Sequence, residues 1–310
     1  MTTNRPLPLV AVVMATYNGA RFLKPQLDSI IQQSYPTLEI IIMDDCSTDD
    51  TIVLLEGYAA THPNIYLYRN EKNIGYIKNF EKGIGYTTAE YIALCDQDDI
   101  WHIDKIKILM EHIDEASIVF CDSELMDEQG NSLGRKMSDI KNLGSYNDCL
   151  PFLIGNCVSG HALLMHKSVA LAAMPFPEGC PPDWPLAFNA SCLAGIKFIT
   201  QPLVKYRQHT TSAVSAVKVK NRKKKKIKQA IQIGLIRKRM AYFTACAVQS
   251  DAADKAIVSK LNDSYTSFSP ANNFKRMLLF FKYRKRITAI KKRNPLRIWL
   301  FCLKMFFKII

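Results

Sequence analysis

Short β-branched and aliphatic runs alternate with longer stretches of helical periodicity through the first two thirds of the chain, which predicts βαβ units and a mainly parallel sheet. Strands are expected at Leu9 to Ala15, Leu38 to Met43, Ile65 to Tyr68 and Tyr91 to Cys95. The second contains Ile40-Ile41-Ile42, the continuous apolar run of a strand covered on both faces. Between the first two, Phe22, Leu23, Leu27, Ile30 and Ile31 recur at helical spacing, with Pro25 in the first turns. Ser117 to Cys121 opens a second half. From residue 122 to 182 the pattern breaks into short apolar pieces interrupted by glycines and by a Pro-rich stretch from Pro175 to Pro182, a loop-rich texture suited to shaping a pocket. A helix is expected to restart at Asp183 and stop at Gly195, followed by strands near Phe198 and at Leu203 to Tyr206.

Beyond residue 212 the pattern is helical and cationic. In Lys218 to Lys228, eight of eleven positions are Lys or Arg. From Phe274, the apolar Met277, Leu278 and Phe281 share a helical face beside a dense set of Lys and Arg. After Pro295, Lys304 and Lys308 lie within about 20° of Arg297 on a helical wheel, and Ile298, Trp299, Leu300, Phe301, Phe306 and Phe307 surround that stripe. Such a helix fits one lying in a membrane interface, its cations drawn to anionic lipid; capping the catalytic core or binding a partner is the other reading.

Composition sharpens this division. The 310 residues are 48% hydrophobic and 22% charged, an ordinary globular balance, and the net charge is +13. Residues 1–210 nevertheless hold 16 Lys/Arg against 25 Asp/Glu, whereas residues 211–310 hold 25 against 3. An acidic body with a basic end places chemistry in the first part and attachment to an anionic surface in the second. No recognised nucleic-acid motif accompanies the charge, so nucleic acid is not expected as a partner. The nine cysteines form no Cys-x-x-Cys pair and read as reduced thiols of a cytosolic chain. No apolar run approaches the ~20 residues of a spanning helix, and no cleaved signal peptide is expected.

Two acidic clusters follow predicted strands directly, Asp44-Asp45-Cys46-Ser47-Thr48-Asp49 and Asp96-Gln97-Asp98-Asp99. In open α/β sheets ligands bind at the carboxyl ends of strands. Gathered carboxylates call for a proton, a basic residue or a hard divalent cation, and a cation that also meets a diphosphate leaving group would serve both. Turns and helix N-caps explain either cluster alone equally well; the pair together favours a ligand site.

Val13-Met14-Ala15-Thr16-Tyr17-Asn18, Met43-Asp44-Asp45-Cys46-Ser47-Thr48-Asp49, Asn73-Ile74-Gly75 and Cys95-Asp96-Gln97-Asp98-Asp99-Ile100-Trp101 together resemble the family 2 glycosyltransferases. Pro182-Asp183-Trp184 and Pro202-Leu203-Val204-Lys205-Tyr206-Arg207-Gln208-His209 resemble their rhamnosyltransferase-like branch. The resemblance implies an α/β fold of the GT-A type, a nucleotide-sugar-binding sandwich. Its catalytic domain would span 1–212, with a nucleotide-binding half at 1–115 and an acceptor half at 116–212, followed by a basic helical membrane-associating region at 213–310.

By the same resemblance Thr16, Tyr17, Asp45 and Asp96 bind the donor, with Tyr17 and Asp45 at the base and Asp96 toward the ribose. A carboxylate accepting the ring N3–H would select uracil or thymine over cytosine. Asp98 would hold a divalent metal, Mg²⁺ or Mn²⁺, helped by Asp99, and His209 matches a late histidine that serves as a metal ligand in related enzymes. A lone histidine is as often a hydrogen-bonded structural residue, and that reading stays open. Asp183 matches the general base, although the branch commonly has His-Asp-Trp where this chain has Pro182-Asp183-Trp184. Trp184 is expected either to stack on the acceptor sugar or to belong to the core. Ser159 and His161 lack a Gly-x-Ser-x-Gly frame and read as structural or acceptor-site residues.

The function implied is an inverting, metal-dependent glycosyltransferase. It would use dTDP-L-rhamnose or a UDP-sugar to extend a lipid-linked oligosaccharide of a cell-surface polysaccharide at the cytoplasmic face of the membrane. The rivals are a sugar nucleotidyltransferase, which would want a richer glycine loop than Tyr17-Asn18-Gly19, and a nucleic-acid-binding protein using Lys218 to Lys228.

Overall fold

The computed structural model describes residues 6–209 and 222–307. The expected domain boundary at residues 212 and 213, the first four positions of the Lys218 to Lys228 run and Lys308 lie outside the described residues. Nine strands form one sheet: β1 Val10–Thr16, β2 Leu38–Asp44, β3 Ile65–Arg69, β4 Tyr91–Cys95, β5 Ile100–Trp101, β6 Ile118–Met126, β7 Ser132–Lys136, β8 Leu163–His166 and β9 Ile196–Arg207. The helices are α1 Ala20–Ile31, α2 Thr51–Thr61, α3 Tyr76–Tyr86, α4 Lys105–His112, α5 Met137–Ile140, α6 Lys167–Ala173 and α7 Asp183–Cys192. They continue with α8 Arg222–Cys246, α9 Ala252–Tyr265, α10 Pro270–Lys282, α11 Arg284–Ile287 and α12 Pro295–Phe307.

The spatial order is β3-β2-β1-β4-β8-β6-β9-β5, with β7 paired to β6. From β3 to β4 all neighbours are parallel, as the buried aliphatic runs predict. Beyond β4 the sheet is mixed: β8 runs antiparallel to both β4 and β6, whereas β9 is parallel to β6. The expectation of a mainly parallel sheet therefore describes the first half. β8 is a four-residue strand inside the Gly- and Pro-punctuated segment that reads as loop. The two strands expected near residues 198 and 203 are a single strand, β9, whose register against β6 shifts beside Pro202, a residue with no N–H to give the ladder. Gly195 stands at φ +86 just after α7, where a Cβ would meet the Asn147 side chain at 2.0 Å, so the helix stop has both a conformational and a steric cause.

Period-2 alternation sends Val10, Val12 and Met14 to one face of β1 and Ala11 and Val13 to the other. The first face packs on α1, α2 and α4 through Leu27, Leu55 and Ile106. The second packs on α3, α6 and α7, and the same apolar cluster continues without a break into Phe243, Val258, Phe280 and Cys302 of the C-terminal helices. Phe188 of α7 stacks on Phe243 of α8 at 4.2 Å. The basic region thus shares the core of the catalytic sheet.

Strand order reverses at β1, with β2 and β3 on one side and β4 on the other. That reversal opens a crevice at the carboxyl ends of β1 and β4, the place where doubly wound sheets bind ligands.

Candidate active site

The crevice is a cleft of about 850 Å³. Its floor is closed by a two-way clasp: the Tyr17 backbone N–H donates to Gln97 Oε1 at 2.9 Å, and Gln97 Nε2 donates to the Tyr17 carbonyl at 3.1 Å. The ends of β1 and β4 are thereby tied together. Tyr17 itself is 46% exposed and lines the cleft, ready to cover a flat ligand. Thr16 is buried below it, its Oγ1 donating to Asp44 Oδ1 at 3.2 Å.

The first acidic cluster divides by role. Asp44 accepts from the Ser47 backbone and hydroxyl as well as from Thr16, and lies 3.7 Å from Arg69. Asp49 takes the Ala20 amide and the Thr51 amide and hydroxyl. Both are turn and cap residues. Asp45 is different: it lines the cleft while its Oδ1 accepts from Asn70 at 2.9 Å and from the Ile74 amide at 2.8 Å, and its Oδ2 from the Gly75 amide at 2.8 Å. A carboxylate offers about four lone-pair sites, so Oδ2 keeps one for a donor on a bound base. These bonds also explain Asn73-Ile74-Gly75, the loop that Asp45 pins.

The second cluster holds three distinct carboxylates. Asp98 Oδ2 meets His209 Nε2 at 2.6 Å, bringing together the two residues expected to ligate metal. Asp96 lines the cleft with its side chain 46% exposed; partial burial, then the neighbouring charges of Asp98 and Asp183, push its carboxyl upward. Asp99 is fully buried, accepts the Arg207 amide at 2.9 Å on Oδ1, and has no hydrogen-bond partner on Oδ2. Arg207 also donates from Nε to the Asp98 carbonyl at 2.7 Å and from Nη1 to the Glu128 carbonyl at 2.8 Å. The end of β9 is thus fastened to the aspartate loop, which places His209.

Behind this loop stands a support of which the sequence singles out only His161, as a structural or acceptor-site residue, and not Lys105. His161 is 4% exposed, touches Ser123 Oγ through Nε2 at 2.9 Å, and turns Nδ1 toward Asp99 Oδ2 at 3.7 Å and Asp96 Oδ2 at 3.8 Å. Burial holds its imidazole well below the usual histidine range. Lys105 is fully buried and donates to the His161 carbonyl at 2.6 Å; burial lowers its ammonium to about 8. No local motif marks either residue, because each gains its meaning only from strands far apart in the chain.

The donors present fit a divalent cation. Asp98 and His209 offer a carboxylate oxygen and a ring nitrogen side by side, while Asp96, Asp99 and His161 bring ligand atoms within 4.8 Å of one another, Asp99 Oδ2 among them without a hydrogen-bond partner.

Asp183 opens α7 at the wall of a smaller cavity of about 140 Å³ that shares Tyr76, Phe80 and Asp96 with the main cleft. Burial raises its carboxyl to about 6, against the pull of Lys141, the Gly160 amide and the Asn156 side chain. A carboxylate at that level is poised to take a proton near neutral pH. Trp184 lines neither cavity: its Nε1 donates to the Phe152 carbonyl at 2.5 Å, and its ring packs under Arg239 at 4.1 Å. Of the two roles expected for it, the structure supports the core one. The indole joins the seam with α8. The remaining expected residues, Thr16, Tyr17, Asp45, Asp96, Asp98, His209 and Asp183, come together around the joined cavities.

Comparison with known proteins bears on the family and the fold. The family model "Glycosyl transferase family 2" matches residues 11–171. An uncharacterised glycosyltransferase of Haemophilus influenzae is 28% identical over 309 residues, covering 92% of this chain and 94% of the relative. The putative teichuronic acid biosynthesis glycosyltransferase TuaG of Bacillus subtilis is 32% identical over 49% of this chain and 61% of its own length. The dTDP-rhamnosyl transferase RfbG of Shigella flexneri is 42% identical over 30% of this chain and 34% of its own length. Among solved structures, residues 1–349 of S. aureus TarS bound to UDP-GlcNAc align with a TM-score of 0.61 at 16% identity, over 94% of this chain and 82% of that one, which shows a shared fold.

Proposed function

This chain belongs to glycosyl transferase family 2, and from that premise we propose that it is an inverting, metal-dependent glycosyltransferase. The observation that carries the reading is the position of Asp183, a carboxyl raised to about 6 in a cavity that opens onto the Asp96–Asp98 loop. Tyr17 and the free lone pair of Asp45 seat the base, Asp96 meets the ribose, and Asp183 takes the proton from the acceptor hydroxyl as that oxygen attacks the anomeric carbon. A single displacement from the face opposite the leaving group inverts the centre. Asp98 and His209 would hold a divalent cation, which when bound offsets negative charge on the nucleoside diphosphate. The donor is dTDP-L-rhamnose or a UDP-sugar; the Asp45 geometry and the name carried by RfbG support a base with an N3–H.

The reading is tested by thermal shift of the purified chain against dTDP, UDP, GDP and CDP, each with and without Mn²⁺ or Mg²⁺. A ligand that binds only the folded state at a hundredfold excess over its Kd stabilises by about 2.7 kcal/mol. Metal-dependent stabilisation by dTDP or UDP, with little from CDP, is expected; no response to any nucleotide would overturn the reading.

The acceptor is a lipid-linked oligosaccharide of a cell-surface polysaccharide, a setting that the name of TuaG supports. No helix among the described residues is long and apolar enough to cross a membrane. The C-terminal helices instead carry an apolar face: Leu296, Trp299, Leu300 and Phe307 of α12 are 42–75% exposed, and Phe274 and Leu278 of α10 are half exposed, while Cys302 and Met305 are buried. Lys275, Lys282, Arg297 and Lys304 lie on the same helices. Such a face would rest on the cytoplasmic surface of an anionic membrane, with no spanning segment required. Truncation before α12 would strip core residues as well, so the cleaner test substitutes exposed positions. Trp299→Glu combined with Phe307→Glu is expected to weaken binding to phosphatidylglycerol vesicles roughly tenfold or more while leaving Tm nearly unchanged. Equal sedimentation of variant and parent with the vesicles would remove the membrane role.

A further inference from the structure

Two lysines near the proposed base make no ion pair among the described residues. Lys141 follows α5 and lines the main cleft. Lys291 lies in the turn between α11 and α12. Neither makes an ion pair or a side-chain hydrogen bond among the described residues. Half-buried cations left unpaired cost stability, so a site that keeps them is built for an anion that arrives later.

The two lysines are held on one seam. Asn142 Nδ2 donates to the Ala289 carbonyl at 2.6 Å, and Lys292 Nζ donates to the Ser138 carbonyl, so the segment around α5 is stitched to the turn before α12. Lys291 crosses Gly155 so closely that a Cβ there would stand 2.8 Å from its Nζ. The next residue, Asn156, is close enough to the Asp183 carboxylate to favour its charged form. Lys141 reaches the same carboxylate electrostatically. Burial and the nearby charges of Arg293 and Lys141 lower the Lys291 ammonium, as expected for crowded cations.

We propose that Lys141 and Lys291 form an anion subsite that seats the phosphate or diphosphate joining the acceptor's glycan to its lipid. This rests on the transferase reading. The nucleotide already has its seats at Tyr17 and Asp45 and at Asp98 and His209, so an anion on the Asp183 side belongs to the acceptor. Exposed Ile140 beside Lys141, and Leu296 at the start of α12, offer apolar surface to the chain that follows the phosphate.

The test is isothermal titration of the full chain with inorganic pyrophosphate and with farnesyl diphosphate, in excess Mg²⁺. Each titration is made alone and then with a saturating amount of whichever nucleoside diphosphate stabilises the protein. Pyrophosphate is expected to bind with the nucleotide in place, and to bind roughly tenfold or more weakly in Lys141→Gln and in Lys291→Gln, the loss of one charge-assisted contact. Lys291→Gln should keep its nucleotide affinity, and both variants should keep the parent's Tm, which is the check on folding. Farnesyl diphosphate should bind more tightly than pyrophosphate. Displacement of pyrophosphate by the nucleotide would assign the lysines to the donor and overturn the proposal, as would unchanged affinity in both variants. Equal affinity for the two probes would overturn the lipid source. If no nucleotide binds, the transferase reading fails by itself, while the pyrophosphate titrations of the variants still report on the lysines.

Discussion

Asp183→Asn is expected to slow sugar transfer roughly 10²–10⁴-fold and to leave nucleotide binding intact, because Asn keeps the shape of the side chain but cannot accept a proton. The carboxyl stands at about 6 in the folded chain, so kcat/KM should fall as pH drops through that value, where the base becomes protonated. The residual activity of the variant should lack that limb. Stability should move the other way. The folded state raises this pKa above its unfolded value, so it binds the proton more tightly. The penalty is absent below the unfolded pKa, grows between about 4 and 6, and is complete at neutral pH, on the order of 1–3 kcal/mol. Asp183→Asn, which carries no charge to bury, should therefore melt higher than the parent at pH 7.5 and show little advantage at pH 4. A variant that is inactive and also less stable at pH 7.5 would point to a structural role for Asp183.

The second large effect concerns the junction between the two parts of the chain. Arg286 of α11 grips Asp148 with Nε at 2.6 Å and Nη2 at 2.8 Å, and its Nη2 also reaches Asp254 of α9 at 2.6 Å. Asp254 is 6% exposed, so removing the guanidinium leaves a buried carboxylate facing a second one with no counter-charge. Arg286→Met should cost about 2–4 kcal/mol, less than a fully buried pair because the arginine side chain is 40% exposed. Adding Asp254→Asn should return about 1–2 kcal/mol of that loss, since the two changes act on one network. Denaturant midpoints at constant m-value give both numbers, and strict additivity would show that the network carries no coupling.

The parallel half of the sheet was legible because its strands are continuous aliphatic runs buried on both faces, a pattern that needs no tertiary information. The mixed half was not. β8 has four residues, and its pairing with β4 and β6 is decided by partners more than forty positions away in sequence. At the site, carboxylates following strands were readable, and so were Asp183 and Gly195 at the two ends of a helical pattern. Strand position alone could not sort Asp44 from Asp45; only the family resemblance picked the second. The residues are adjacent and alike, yet one faces a turn and the other a cleft because side chains alternate across a strand end. Lys105 was invisible for the same kind of reason, and His161 could be read only as structural or acceptor-site, because a buried imidazole is defined by the two carboxylates it meets. Trp184 carried two readings, and its contact with Phe152 supports the core one.

The unbroken apolar cluster from the sheet through α8, α9, α10 and α12 bears on reach. With the outward face of α12 resting on a bilayer, the proposed base would ride at a set height above the lipid, because no hinge within the described core separates the two. An enzyme of that build measures its acceptor: a hydroxyl presented at the right elevation falls beside Asp183, and the same sugar on a longer or shorter stem does not. Chain-length preference would then follow from the stiffness of the body as much as from contacts in the pocket.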